Sequence, residues 1–272
     1  MYNDRSARRP ARGTVTRAAT AAALASALAL GAVHTATAAA PSAAKTPTGA
    51  SDGGWHQDGL TLNAADNRTV DAYVARARRA ERSISPQIRA AALLSHAELI
   101  GFDHRLKSPD SLKRKVATRM QEKPGRTVGE SLAQINDAVR FTLQWPVGRY
   151  SRGVTAAAGM LSAWGNDSTR WSNTWHRAAG YKAINSAWRT PRSHQLFEVQ
   201  FHTPRSKAAQ LETHKLYEEQ RLPGTSPQRV RELQEQQDAI FAAVPVPPGA
   251  DRLTAPVRHH PVPATWAPAL MP

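Results

Sequence analysis

Residues 195–202 read Gln195-Leu-Phe197-Glu198-Val199-Gln200-Phe201-His202. Successive side chains of a strand point to opposite faces, so Phe197, Val199 and Phe201 share one side and Glu198, Gln200 and His202 the other. The apolar side calls for a core beneath it. The polar side is either a chemical surface or the wet face of an edge strand. Residues 183–190 read as a partner strand for 195–202. A third strand follows from 137–145, where Val139, Phe141 and Leu143 alternate after Asp137 and around Arg140.

Around these strands the period changes to that of helices. Residues 66–82 place Val70, Tyr73, Val74 and Ala77 on one face. Ser85-Pro86 reads as an N-cap with proline at the first helical position, opening a second helix through Ile88, Ala92 and Leu99 that closes at Gly101. Ser108-Pro109-Asp110 repeats that signal, so a helix is expected from 109 to about 121. Residues 153–164, about 205–220 and about 227–241 complete the set. Helices, strand, helix, strand pair, helices is the order of an α+β domain with a small mixed β-sheet covered by helices. The stretch 146–176 carries no recognisable motif, although Trp164, Trp171 and Trp175 imply that it packs.

The ends read differently. Residues 1–17 carry five arginines, 18–33 are alanine- and leucine-rich, and Ala36-Thr37-Ala38 supplies a small-residue cleavage site. That pattern is a secretory signal peptide, expected over 1–38 and implying a secreted, extracellular protein; the alternative is a basic arm for nucleic acid. Residues 39–57 read as a flexible leader. From Val244 onward the chain holds eight of its 19 prolines. Proline has no N–H and a fixed φ, so 244–272 is expected as an extended tail, with the folded domain at 58–243.

Composition restricts the chemistry. No cysteine is present among 272 residues, which removes disulfide scaffolds, cysteine nucleophiles and thiolate zinc sites. Lys and Arg number 36 against 21 Asp and Glu, a net charge of +15. Removal of residues 1–38 as an export segment takes away only five arginines and one aspartate, so the remainder stays basic and suited to polyanions. Mean hydropathy is −0.50, which leaves no room for a large membrane-embedded part.

Five local constellations stand out. Arg105, Lys107, Ser111 and Lys115 gather bases and a hydroxyl at a helix start, where free N–H groups also favour phosphate; a solvated basic helix is the bland alternative. Glu198 and Gln200 lie on the polar strand face. Asp137 with Arg140 opens the other strand, and Asp137 and Glu198 together make a two-carboxylate site of the kind that holds Mg²⁺ along with substrate phosphates. Arg177 precedes Gly180-Tyr181, which can present an aromatic ring to a base. His214 and Tyr217 share one turn of helix.

In order, these segments resemble the synthetase domain of the RelA/SpoT family, the alarmone synthetases. Arg105, Lys107, Ser111 and Lys115 match the family's basic helix start, Asp137 to Arg140 its Asp-x-x-Arg strand, and Arg177, Gly180 and Tyr181 its Gly-Tyr segment. Glu198, Gln200 and Thr203 match its Glu-x-Gln-x-x-Thr strand, and His214 and Tyr217 its His-x-x-Tyr helix. The resemblance covers about 85–220. It implies a nucleotidyltransferase-like fold and a pyrophosphokinase that moves the β,γ-pyrophosphate of ATP to the 3′-OH of a purine nucleotide, giving ppGpp- or ppApp-type products. It further implies that Arg105, Lys107, Ser111, Lys115, Arg140 and Arg177 bind ATP. Asp137 and Glu198 would hold Mg²⁺ or another divalent cation and act catalytically, and Tyr181, Gln200, His214 and Tyr217 would line the acceptor pocket. The family's Gly-Tyr-Arg-Ser-Leu-His is here Gly180-Tyr-Lys-Ala-Ile-Asn185, so adenine acceptors stand beside guanine ones. The implied partners are ATP and purine nucleotides, for a monomer with no membrane or nucleic-acid partner once processed. The competing reading is a secreted basic polyanion-binding protein on a degenerate synthetase fold.

Overall fold

The computed structural model describes residues 53–222 and 224–257. It opens with a hairpin of β1 (Trp55–Gln57) and β2 (Leu60–Leu62), turned by Asp58 and Gly59, both at positive φ. In chain order follow α1 (Ala64–Leu94), β3 (Glu98–Ile100), α2 (Pro109–Glu122), α3 (Val128–Ala133), β4 (Arg140–Gln144), α4 (Tyr150–Ala163) and β5 (Asp167–Asn173). Then come β6 (Ile184–Arg189), β7 (Leu196–His202), α5 (Pro204–Glu212), α6 (His214–Gln220) and α7 (Pro227–Ala242). The architecture is the α+β arrangement expected: one five-stranded mixed sheet in the order β3-β4-β7-β6-β5, with helices around it. The β4–β7 pair is parallel and the other pairs are antiparallel.

The two faces of β7 divide as their alternation requires. Phe197, Val199 and Phe201 are fully buried and join Phe141, Leu143, Ile184 and Trp188 in one core with residues of α1, α2 and α4. Glu198, Gln200 and His202 occupy the other face and are also buried. The wet edge strand considered above is therefore not what forms: β7 lies inside the sheet between β4 and β6.

Residues 64–94 form one helix, not two. Its buried stripe of Val70, Val74, Ala77, Ile84, Ile88 and Ala91 runs straight through Pro86. Proline in a helix costs one backbone bond and some strain; continuous burial of that stripe offsets it. Ser85 does not cap a new helix: its Oγ donates to the Glu81 carboxylate one turn earlier. The helix closes at Ser95, so 98–100 is free to form the edge strand β3, paired with β4. The helix expected over 205–220 breaks at Thr213 into α5 and α6.

The stretch 146–176 holds α4, where a helix was expected over 153–164, and β5, which no sequence pattern announced. Tyr150 donates to the Phe201 carbonyl at 2.9 Å and accepts from Trp175 Nε1 at 2.8 Å. The Trp145 indole lies edge-on to Tyr150 and against Phe201. This aromatic wedge requires glycine at 153, since a Cβ there would sit 2.3 Å from Trp145 Nε1.

Both ends of the fold run past the expected bounds. Trp55–Gln57 is a strand rather than leader. At the other end, 244–257 is no free tail: Val244 and Ala250 are buried, and Ala250–Arg252 makes a 3₁₀ turn. Trp171 Nε1 donates to the Leu253 carbonyl at 3.1 Å and Asn173 Nδ2 to that of Ala250 at 2.7 Å. The segment thus straps the exposed edge β5, a common way to close an edge strand. The signal-peptide segment and the tail beyond 257 lie outside the described residues. Among the described residues no helix is long and apolar enough to cross a membrane.

Candidate active site

The site is built from two strand starts and one helix. Residues 105–107 run beside the beginning of β4: the Arg140 N–H donates to the Arg105 carbonyl at 2.8 Å, and the Lys107 N–H to the Ala138 carbonyl at 3.0 Å. This short antiparallel bridge sets Lys107 over Asp137. Ser108 then caps α2 through Ser111 N–H, with Pro109 at the first helical position. One turn further, Lys115 reaches the same acid.

Asp137 is consequently gripped from both sides. Lys107 Nζ lies 2.7 Å from Oδ2 and Lys115 Nζ 2.7 Å from Oδ1. The carboxylate is almost wholly buried, and burial alone would raise its pKa. The two ammonium charges outweigh that and hold it well below the usual carboxylate range. Lys115 is pulled the other way by burial, with Asp137 countering. Two half-buried lysines on one acid leave one positive charge in excess, poised for anionic phosphate oxygens.

Glu198 stands one strand away. Its N–H donates to the Val139 carbonyl at 2.9 Å, and it is the register partner of Arg140 in the parallel ladder. Gln200 Nε2 donates to Glu198 Oε1 at 2.6 Å, and Arg170 on β5 lies 3.7 Å from Oε2. Burial, followed by the nearby charge of Asp137, raises the Glu198 carboxyl above its ordinary value; Arg140, Gln200 and Arg170 moderate the effect. A buried carboxylate so raised is a stronger base than an ordinary glutamate.

The structure places the remaining candidates unevenly. Arg105 stacks on the Phe102 ring at 4.2 Å and is held by Glu81 at 2.5 Å. Its guanidinium plane is thereby fixed at the edge of the basic cluster. Ser111 lies in the first turn of α2 beside Ser108. Tyr181 Oη donates to Asn185 Oδ1 and meets His202 Nε2, each at 3.0 Å, and its ring packs edge-on against Phe241. Arg177 is exposed, and its carbonyl accepts from the buried Lys182. His214 pairs with Glu218, and Tyr217 with Arg221, within and just beyond α6. Asp137, Glu198, Lys107, Lys115, Arg140 and Gln200 are brought together directly. The described contacts do not join Arg177, His214 or Tyr217 to them.

Four contributors had no motif in the sequence: Glu81, Phe102, Arg170 and Lys207. Arg170 lies in a strand with a register irregularity between Ser168 and Arg170, which hides its alternation. Lys207 follows the capping box of Thr203 and Ser206 at the start of α5, a signal of helix start and not of chemistry.

Asp137 and Glu198 fit a hard divalent cation in donor type. Among the described residues no group of three or more His, Asp or Glu converges to hold a metal by protein alone. A Mg²⁺ bound through one or two carboxylates and completed by phosphate oxygens suits this donor set. A separate cleft of about 610 Å³ is lined by residues that include Arg76, Arg79 and Arg189. Tyr73 stands on its wall and donates to the Ile135 carbonyl, two residues before Asp137.

No family model matches this chain. No curated protein matches it either. Solved structures do resemble it. The small alarmone synthetase 1 of Bacillus subtilis bound to its product pppGpp is 15% identical with a TM-score of 0.44, covering 64% of this chain and 91% of that one. The Type VI effector Tas1, in complex with its immunity protein, is 18% identical with a TM-score of 0.45, over 68% and 97% of the two chains. A GTP pyrophosphokinase family protein from Streptococcus pneumoniae is 15% identical with a TM-score of 0.44, over 66% and 88%.

Proposed function

We propose that this chain is a pyrophosphokinase. It moves the β,γ-pyrophosphate of ATP to the 3′-hydroxyl of a purine nucleotide and releases AMP. The observation that carries the reading is the pairing of a lysine-clamped acid, Asp137, just ahead of β4, with a raised, buried acid, Glu198, on the neighbouring strand β7. A purely polyanion-binding surface has no use for two buried carboxylates inside its basic cluster.

The residues divide the work as follows. Arg105 stacks on the adenine of ATP with the face turned away from Phe102. Lys107 and Lys115 exchange one Asp137 contact each for phosphate oxygens, and Ser111 and Arg140 add donors. Arg177 joins them if the segment before Gly180 folds inward. Asp137 and Glu198 would hold Mg²⁺, which neutralises charge building on the transferred group. Glu198 accepts the proton of the acceptor 3′-OH. That oxygen forms the new bond to the β-phosphorus as the bridge to the α-phosphate breaks and AMP leaves. Tyr181 stacks on the acceptor base, with Gln200, His214 and Tyr217 around it.

With residues 1–38 read as an export signal, the proposed activity is secreted, as in the extracellular ATP nucleotide 3′-pyrophosphokinase of streptomycetes that the sequence resembles. Acceptor analogues test the reaction. A 2′-deoxy purine nucleotide is expected to accept pyrophosphate, and the 3′-deoxy analogue to accept none. Equal transfer to both would exclude the 3′-oxygen as the nucleophile.

A further inference from the structure

Lys207 is a buried cation without an acid. It is 8% exposed, and no carboxylate among the described residues pairs with it. Among the described residues its ammonium group donates to Gln210 Oε1 at 2.6 Å. An ammonium group only donates, so it fixes the oxygen of that amide toward itself. The Gln210 Nε2 group is left buried with no acceptor.

The neighbours do not supply the missing negative charge. Arg140, from β4, adds positive potential at Lys207. His202, on β7, is buried between Tyr181 and Ser206 and is held neutral by burial and by Lys207 itself. Burial and Arg140 together lower Lys207 to about 8. A buried, uncompensated charge beside an orphaned donor is a cost to the fold. It is expected where a ligand brings the counter-charge.

We propose that Lys207, with Gln210 and Arg140, is a subsite for a phosphate of the acceptor nucleotide. The assignment rests on the pyrophosphokinase reading for the word acceptor, and on this cluster for the phosphate. Lys207 lies on the Tyr181 and His202 side of the sheet face, one residue beyond the Ser206 that bonds His202. Lys107 and Lys115 serve the other side, around Asp137. The two sets of bases would divide the two substrates between them. The enzyme would then select acceptors already phosphorylated and reject bare nucleosides.

The test is a titration of the full chain with AMP and with adenosine by calorimetry. The donor subsite is first filled with Mg²⁺ and a non-hydrolysable ATP analogue. Wild-type protein is expected to bind AMP about tenfold or more tightly than adenosine, the scale of a charge-assisted hydrogen bond. Lys207→Met is expected to erase that difference, leave adenosine unchanged and raise the melting temperature. Lys207→Arg, which keeps the charge, is expected to restore the preference. A Lys207→Met protein that weakens both ligands alike, or neither, would overturn the proposal. So would the absence of any preference in the wild type. A preference that survives in a protein with no transfer activity would sink the pyrophosphokinase reading and leave the phosphate subsite in place.

Discussion

Arg140 and Glu198 are register partners in the parallel β4–β7 ladder. The pairing puts a guanidinium beside the acid that would accept the substrate proton. It also lets Arg140 reach toward both proposed substrates, since the same side chain bears on Lys207. The parallel connection is what gathers the strand starts bearing Asp137 and Glu198 at one end of the sheet.

Glu198→Gln is expected to reduce turnover at least a hundredfold, the usual scale for a lost general base. Folding should not suffer. The raised pKa means the folded state holds the Glu198 proton more tightly than the unfolded chain does. Its contribution is stabilising at low pH and is lost as pH rises through the folded value. Glutamine removes that loss, so a gain in stability at neutral pH is expected by denaturant titration. In wild type, turnover should fall on the acid side at a pH above the ordinary glutamate value of 4.5.

Asp137→Asn is expected to act oppositely on stability. Two half-buried lysines would lose the buried counter-charge they share, at a cost of about 3 kcal/mol. The sign with pH also reverses. The depressed pKa of Asp137 contributes stability above the unfolded carboxylate value, and that contribution is lost as pH falls through the folded one. Chemical denaturation at pH 7 and pH 3 should therefore show the wild-type advantage over Asp137→Asn shrinking in acid.

Arg105→Ala removes the plane held between Glu81 and Phe102. Steady-state kinetics should show KM for ATP rising about tenfold, with KM for the acceptor little changed, as expected for one lost cation–π contact with its hydrogen bonds. A rise confined to the acceptor would place Arg105 on the wrong substrate.

Gly153→Ala separates fold from site. The added methyl collides with the Trp145 indole, and overpacking of this kind costs about 1–3 kcal/mol. The melting temperature should drop while turnover per folded molecule stays near wild type.

Much of this was legible in the sequence because period and capping are local. The alternation in 195–202 and the Ser108-Pro109 start of α2 survive in the structure, and the strand expected over 137–145 forms as β4 with Asp137 left just ahead of it. Pro86 misled because a helix-start signal was outweighed by a buried stripe spanning both sides of it. Residues 167–173 form a strand from Ser, Thr, Arg and Asn, whose partners are the backbone of β6 and the strap after Val244. No local pattern announces such an element. In the site, Asp137 and the basic run showed themselves by spacing. Lys207 and Arg170 did not, because the contacts that set them apart come from three-dimensional packing.

The most direct test of the central claim is transfer itself. The protein is incubated with Mg²⁺, ATP labelled on the γ-phosphate, and AMP, ADP or GDP in turn, and the products are separated. Label on the acceptor, with one AMP formed from ATP for each transfer, is the predicted result. Folded protein that moves no label to any purine nucleotide, yet binds polyanions with a steep dependence on salt, would contradict it.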